Sequence, residues 1–461
     1  MGGLFYSLHI GLSSLRAQQL GIATAGNNVA NVNTPGYSRQ RVGMRELTGL
    51  QLTEGNLGGG VRVAEIGAAR DRFIEGRLVL ENQRLGQQET LNQHLRQVEA
   101  VFAETGGAGV RDTLSRFFNS FSDLANNPTN TALRQQVLSA GNNLANSVRT
   151  VHSQLSATQT QANQDIRGTV DRVNALTEQV AALNVRVANA EAIGQDAAGF
   201  RDQRQVLLGE LGQLVNINYL EDEVHMVSVH IGGRSIVEKN KSTALTAAAV
   251  GGPNYAVSLN GVDIRSEITS GRLNGLFQVR DTYVPGYLQS LEAFASTLIA
   301  QVNAVHAGGT DLTGAGGGNF FTPTPAGASA AQTLSVAVTA TDRIAAAAAG
   351  QPARSGDNTN ARALAALATT RQAGLGSATF SDYYGSLVAR VGGHAREAAD
   401  GLRTQRQVVR QVQNQRDSVS GVSLDEEMAS LIQFQKAYEA SARYVSIVNS
   451  LTEETMRLLG R

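Results

Sequence analysis

The residues able to do chemistry are few and scattered along the 461-residue chain. Glu221, Asp222 and Glu223 stand close to His225 and His230, a set that could hold a cation. The two histidines are five residues apart, however, which on a strand turns them to opposite faces, and the acidic triplet reads as a solvated turn. Gly55 to Gly60 is glycine-rich in the manner of a phosphate loop. It lacks the Gly-Lys-Ser/Thr ending and the dinucleotide spacing that such loops need, so a flexible turn is expected. Phe200-Arg201-Asp202-Gln203-Arg204 concentrates charge as a catalytic site would, but the solvated start of an amphipathic helix ending near Val215 is the expected reading. There is no Gly-x-Ser-x-Gly elbow, no His-Glu-x-x-His and no cysteine nucleophile, and the seven histidines are dispersed. The chain therefore reads as no enzyme, with no cofactor and no metal.

Composition narrows the partners. Lys plus Arg equals Asp plus Glu at 39 each, so no net field draws the chain to nucleic acid or to an anionic membrane. Absence of cysteine rules out disulfides and thiolate-bound metal. The first cation is Arg16 and no run of about 18 apolar residues occurs, so neither a cleaved signal peptide nor a membrane span is expected. Length allows two to four domains.

What remains is an organisation of helices. Steps of seven from Leu424 land on Leu431, Tyr438, Val445, Thr452 and Leu459, and steps from Met428 land on Gln435, Ala442, Asn449 and Met456. The N-terminus carries matching rows, Met1, Leu8, Leu15, Ile22 and Val29 beside Phe5, Leu12, Gln19 and Gly26. Two such heptad stripes predict that the chain starts and ends in one coiled-coil-like helical pair. The first helix must stop at Asn31-Val32-Asn33-Thr34-Pro35-Gly36-Tyr37, where Pro-Gly suits the centre of a type II turn.

Between the ends, a short strand over 61–66 precedes helices expected over 71–102, on both sides of Asn126-Asn127-Pro128, over 148–192 and over 200–215. A break is expected at Gly106-Gly107. From Asn216 the period becomes two, and Asn260-Gly261 signals a hairpin. Helix returns at 281–305, a Gly-, Ala- and Thr-rich tract follows over 321–374 with a strand-like piece at 334–338, and a last arm starts after Ser381-Asp382 and runs to about Asp417.

Ser7-Leu8 and Gly11-Leu12, followed by Asn27-Asn28-Val29-Ala30-Asn31-Val32-Asn33-Thr34-Pro35-Gly36-Tyr37-Ser38-Arg39-Gln40, resemble the N-terminal signature of bacterial flagellar axial proteins. Thr34 to Gln40 is most similar to the hook-associated protein 1 family. Residues 420–442 resemble that family's end segment nearly residue for residue, and 202–215, 275–287 and 304–312 are similar to it as well.

The resemblance implies a structural subunit of the flagellum that polymerises at the hook-filament junction, the alternative being another axial subunit of hook or distal-rod type. The long helices over 71–215 argue against that alternative, and an unrelated coiled-coil adhesin or secreted toxin is a further one. The implied fold is mainly α with a β insertion. Residues 1–60 and 421–461 would form the terminal assembly domain, 61–220 and 355–420 a helical middle domain, and 221–354 a β-rich outer insertion with a helix near 281–306. The expected assembly interface comprises Leu8, Leu12, Leu15, Ile22, Val29, Asn28, Asn31, Pro35, Gly36, Tyr37, Leu424, Met428, Leu431, Tyr438, Val445 and Leu459. Implied partners are further copies in a helical polymer, the hook protein, a second junction protein and an export chaperone holding the C-terminal helix. The implied location is the extracellular flagellum, reached by type III export.

Overall fold

The computed structural model describes residues 2–52, 55–103, 109–249 and 254–460. Helix α1 (Gly2–Ala30) is followed by strands β1 (Gln40–Glu46), β2 (Leu50–Leu52), β3 (Gly55–Leu57) and β4 (Val61–Ala68). β1 pairs antiparallel with β4, and β2 with β3 extends that ribbon. Helices α2 (Arg72–Phe102), α3 (Val110–Asn126), α4 (Thr131–Ala192) and α5 (Ala198–Leu214) come next. The break expected at Gly106-Gly107 lies outside the described residues.

Local chemistry sets these boundaries. Asp71 caps α2 by accepting from the N–H groups of Phe73 and Ile74, and Asn130 caps α4 through those of Ala132 and Leu133. The expectation that α4 begins near Val148 is corrected: Gly141 does not interrupt it. An added Cβ there would meet the Phe320 ring at 3.0 Å, so the glycine is kept for packing inside a 62-residue helix.

Two small sheets lie along α4. β5 (Asn218–Glu221), β6 (Val227–Ile231), β7 (Arg234–Glu238) and β8 (Lys241–Ser242) form one meander, and β9 (Leu245–Ala249), β10 (Tyr255–Leu259) and β11 (Val262–Asp263) the other. Asn260 and Gly261 both have positive φ between paired Leu259 and Val262, the hairpin turn expected there. Asparagines on α4 dock the strands: Asn184 binds both the N–H and C=O of Val227, Asn174 those of Leu245, and Asn163 accepts from Tyr255 N–H. His225 sits in the turn before β6 at φ 56°, not on a strand as expected.

α6 (Gly271–Gln278) passes through a π turn at Val279–Tyr283 into α7 (Val284–Ala307), because Pro285 cannot donate to a regular ladder. The tract that follows holds the small strands β12 (Gly309–Thr310) and β13 (Ala347–Ala348) and the short helices α8 (Ala330–Thr333) and α9 (Thr359–Ala366). The strand-like piece at 334–338 makes only a single bridge, Phe321 to Val336. α10 (Phe380–Ser420) is capped by Thr379, whose hydroxyl accepts from Asp382 N–H, so Ser381 and Asp382 fall inside its first turn. α10 runs antiparallel to α2, as the pairs Glu75–Arg416, Gln405–Glu81 and Phe102–Tyr384 show. After Gly421 the chain ends in α11 (Leu424–Leu459).

One core runs from Val79 to Ala398 and unites α2 to α7, both sheets, α9 and α10. α7 contributes Leu291, Phe294, Leu298 and Val302 to it, so the helix expected near 281–306 shares the body's core. Neither α1 nor α11 contributes a residue.

Candidate assembly interface

α1 and α11 pair antiparallel through small residues. Ser14 and Ser441 hydroxyls lie 2.8 Å apart, a Cβ added to Gly21 would fall 2.7 Å from the Phe434 ring, and Asn28 donates to Glu427 at 2.9 Å. Fourteen, 21 and 28 step by seven against 441, 434 and 427, so this is one heptad row on each helix. Gly11 adds a further close approach, its added Cβ falling 2.5 Å from Val445. Backbones that come this near leave room only for Gly, Ser or a short polar side chain on one side of the contact.

The row through Leu431, Val445 and Thr452 was legible; the other row lies one residue earlier than the spacing suggested, at Glu427, Phe434, Ser441 and Val448. Leu8, Leu15, Ile22 and Val29 are half-buried, as are Leu431 and Val445. Leu12, Leu424, Met428 and Tyr438 instead expose 44%, 49%, 49% and 39% of their surface, which puts them outside the intrachain seam. Of Leu459 only the backbone is described, and Met1 lies outside the described residues. The misplaced row has a physical cause. α11 carries apolar residues on more faces than its own chain covers, and a periodicity search follows the larger side chains.

Where the pair meets the body, polar groups converge. Thr34 to Tyr37 forms the expected turn, with Tyr37 N–H donating to Thr34 C=O and Gly36 at φ 78°. Asn31 closes the helix end by donating to Asn27 C=O, while Pro35 faces outward. Buried Asn28 satisfies its amide fully: it donates to Gln40 C=O and Glu427, and accepts from Gln40 N–H and the Tyr37 hydroxyl. Burial, with the charges of Asp202 and Glu427 nearby, pushes the Tyr37 phenol up to about 12, so it stays a donor.

Sequence reasoning missed the other half of this joint. Ser38 donates through its N–H and hydroxyl to Asp202 on α5, and Arg70 pairs with the same carboxylate. The charged cluster at 201–204 is therefore a buried anchor, with Arg204 held by Asn184, His225 C=O and Glu221. Arg416 reaches Gly36 C=O and Glu75. Arg39 is central: its N–H donates to Ser420 C=O, its C=O accepts from Ala69 N–H, and its guanidinium forms ion pairs with Glu426 at 2.5 Å and Glu427 at 2.6 Å. The row Ser7, Ser14, Gly21, Asn28 was the signal available in the sequence for the close pairing.

Outward, the pair is apolar. Of the 21 large apolar side chains that are exposed among the described residues, twelve sit on α1 and α11, including Phe5, Ile432, Ile447, Leu451 and Leu458. α1 carries a single Arg, Arg16, and no acid. A large exposed apolar surface of this kind is characteristic of protein-protein contact. No group of three or more His, Asp or Glu suited to a metal, and no helix long and apolar enough to cross a membrane, occurs among the described residues.

Comparison with known proteins places these features. A family described as flagellar hook-associated protein FlgK helical domain matches residues 95–321. Families described as flagella basal body rod protein and flagellar basal body rod FlgEFG protein C-terminal match 8–37 and 413–458. The chain is similar to flagellar hook-associated protein 1 of Bacillus subtilis, 30% identical over 100% of this chain and 99% of that one. It is 23% identical to the Escherichia coli protein of that name, over 97% of this chain and 98% of that one. Its fold resembles the flagellar hook junction protein FlgK from Burkholderia pseudomallei, with a TM-score of 0.65 at 17% identity, covering 75% of this chain and 100% of that structure.

Proposed function

This chain belongs to the family of flagellar hook-associated protein 1, and from that premise we propose that it polymerises at the hook-filament junction as a structural subunit connecting the two. Its work is the burial of surface, not catalysis. The observation that carries this reading is the terminal pair: its inner seam is closed by small residues, while its outer faces leave twelve large apolar side chains exposed among the described residues, outside a body that holds its own core.

On this reading α1 and α11 form the assembly domain. Leu12, Leu424, Met428 and Tyr438 reach neighbouring copies, whereas Asn28, Asn31, Pro35, Gly36 and Tyr37 hold the pair at its angle to the body. Leu8, Leu15, Ile22, Val29, Leu431 and Val445 keep the two helices together. The hook protein lies on one side of the short polymer and a second junction protein on the other. Before assembly an export chaperone covers the apolar faces of α11, and the chain leaves the cell through the flagellar type III route. The division into 1–60 with 421–461, 61–220 with 355–420, and 221–354 is one of position along the radius, since the last two share a core.

Electron microscopy of a strain lacking this gene tests the function. Complete hooks without filaments, with flagellin in the medium, are expected; attached filaments would overturn the reading. The families matched at 8–37 and 413–458 are described as rod proteins, which is the ground for the alternative of a hook or distal-rod subunit; a strain lacking hooks altogether would support it.

A further inference from the structure

Asn-Gly occurs twice in this chain, at Asn260-Gly261 and at Asn274-Gly275, and the fold treats the two in opposite ways. The dipeptide carries a chemistry of its own. The glycine nitrogen attacks the asparagine side-chain carbon Cγ, expelling ammonia and closing a succinimide ring. Water then opens the ring at either carbonyl, leaving aspartate or the isomer whose backbone runs through the side chain. Glycine favours the attack because no side chain hinders its nitrogen or the rotation that brings that nitrogen to Cγ.

Asn274 is held in place. Its amide donates to Ile268 C=O at 2.8 Å, and its carbonyl accepts from Gln87 at 3.0 Å and from Gln278 at 2.7 Å. Gly275 is buried within α6, where an added Cβ would fall 2.9 Å from Thr90. Bringing its nitrogen to Cγ would unwind a helix that buries Leu273, Leu276 and Phe277 in the core. Asn260 and Gly261 are exposed instead, and among the described residues the Asn260 carboxamide makes no hydrogen bond. Their φ values of 51° and 78° are those of a type I′ turn, which rotates the first side chain away from the following nitrogen, so the closed hairpin does not react. Opening it costs little. β11 is two residues long, lies at the edge of its sheet and pairs only at Ser258–Asp263 and Leu259–Val262, with Val262 45% exposed. Openings of so short an edge strand lie at the low end of the stability range within a folded chain.

We propose that Asn260 is a site of spontaneous deamidation in the folded protein, gated by opening of the β10–β11 hairpin, and that Asn274 is not. Each conversion consumes one water and releases one ammonia. Both products place a carboxylate where a neutral amide stood. The isomer also adds one backbone carbon between Leu259 and Val262, which a two-residue turn cannot absorb while keeping that pair. The isomerised turn therefore stays open.

The full-length chain is incubated folded, and in parallel in concentrated urea, in mildly alkaline buffer made with heavy-oxygen water, which labels each carboxylate as it forms. After return to ordinary water, trypsin cleaves at Lys241, Arg265, Arg272 and Arg280 and so places the two sites in separate peptides for mass spectrometry. In the folded chain, label is expected at position 260, as a mixture of aspartate and its isomer, and none at 274. In urea both sites should take up label at similar rates. Uptake at 274 matching that at 260 in the folded chain, or none at 260 while urea labels both, would overturn the proposal. Val262→Gly, at an exposed position of β11, should speed conversion of Asn260 several-fold. An unchanged rate in that variant would sink the gating by hairpin opening.

Discussion

At Gly36 two constraints coincide. The backbone φ of 78° disfavours a branched side chain, and an added Cβ would fall 2.3 Å from Val206 Cγ2 on α5. Gly36→Val should therefore cost roughly 2 kcal/mol or more at the joint, abolish filament attachment and leave the body's melting temperature in place. Normal filaments would show that the turn tolerates another conformation. Asn28→Ala strands four partners in a buried site, and a cost of roughly 2–4 kcal/mol is expected. The readout is faster amide exchange in α11 with α4 unchanged. Buried histidines also bear on acid stability, among them His94 and His306. Burial holds His94 and His306 below their usual 6.5. His306 is fixed as the neutral tautomer, since Nε2 accepts from Ala345 N–H and Nδ1–H donates to Gly318 C=O. Both gain protons on unfolding near and below pH 6.5, so the stability they preserve is complete above that value and is lost as pH falls toward their folded pKa. Melting temperature should drop between about pH 7 and 5, less steeply in His94→Leu. An unchanged slope in that variant would count against His94. The Pro-Gly turn was readable because its two residues dictate φ locally. Asp202 was not, since its partners Ser38 and Arg70 are more than a hundred residues away in sequence.

Periodicity at the scale of elements found the partners α1 and α11 but misjudged one face of each. A buried face in a monomer and an apolar face left exposed by it both appear as apolar spacing, and Met428, 49% exposed, belongs to the second kind. Phe434 is the better probe of the intrachain seam, because its ring fills the space over Gly21. Phe434→Ala should destabilise the pair by roughly 2–4 kcal/mol, read as loss of a minor helical transition at low temperature with the main transition unmoved. A shift of the main transition would mean that the pair and the body melt as one. The long α4 was legible in part. Its start was missed because a glycine in a helix is ordinarily a cost, and only the Phe320 ring across the core reveals why Gly141 is kept.

The whole molecule divides by where its surface is spent. Residues 37–420 hold every member of the core from Val79 to Ala398, so a chain of only those residues should keep the main thermal transition and fail to assemble. Its collapse to an unfolded state would show that the terminal pair is part of the folding unit. The tether between the two parts gives the molecule a mechanical character. The terminal unit is joined to the body by two covalent segments, 69–71 and 420–423, and the backbone of Arg39 stitches both, receiving Ala69 N–H at its carbonyl and giving its own N–H to Ser420. On the proposed assembly through the terminal pair, any twist passed between that pair and the body must cross this neck. Because the stitches lie side by side across both tethers, twist loads them in parallel and strains them together, where a row peeled from one end would fail bond by bond. The stiffness of the coupling thus resides in a few residues around Arg39, and a softer neck there would let the terminal pair turn ahead of the body.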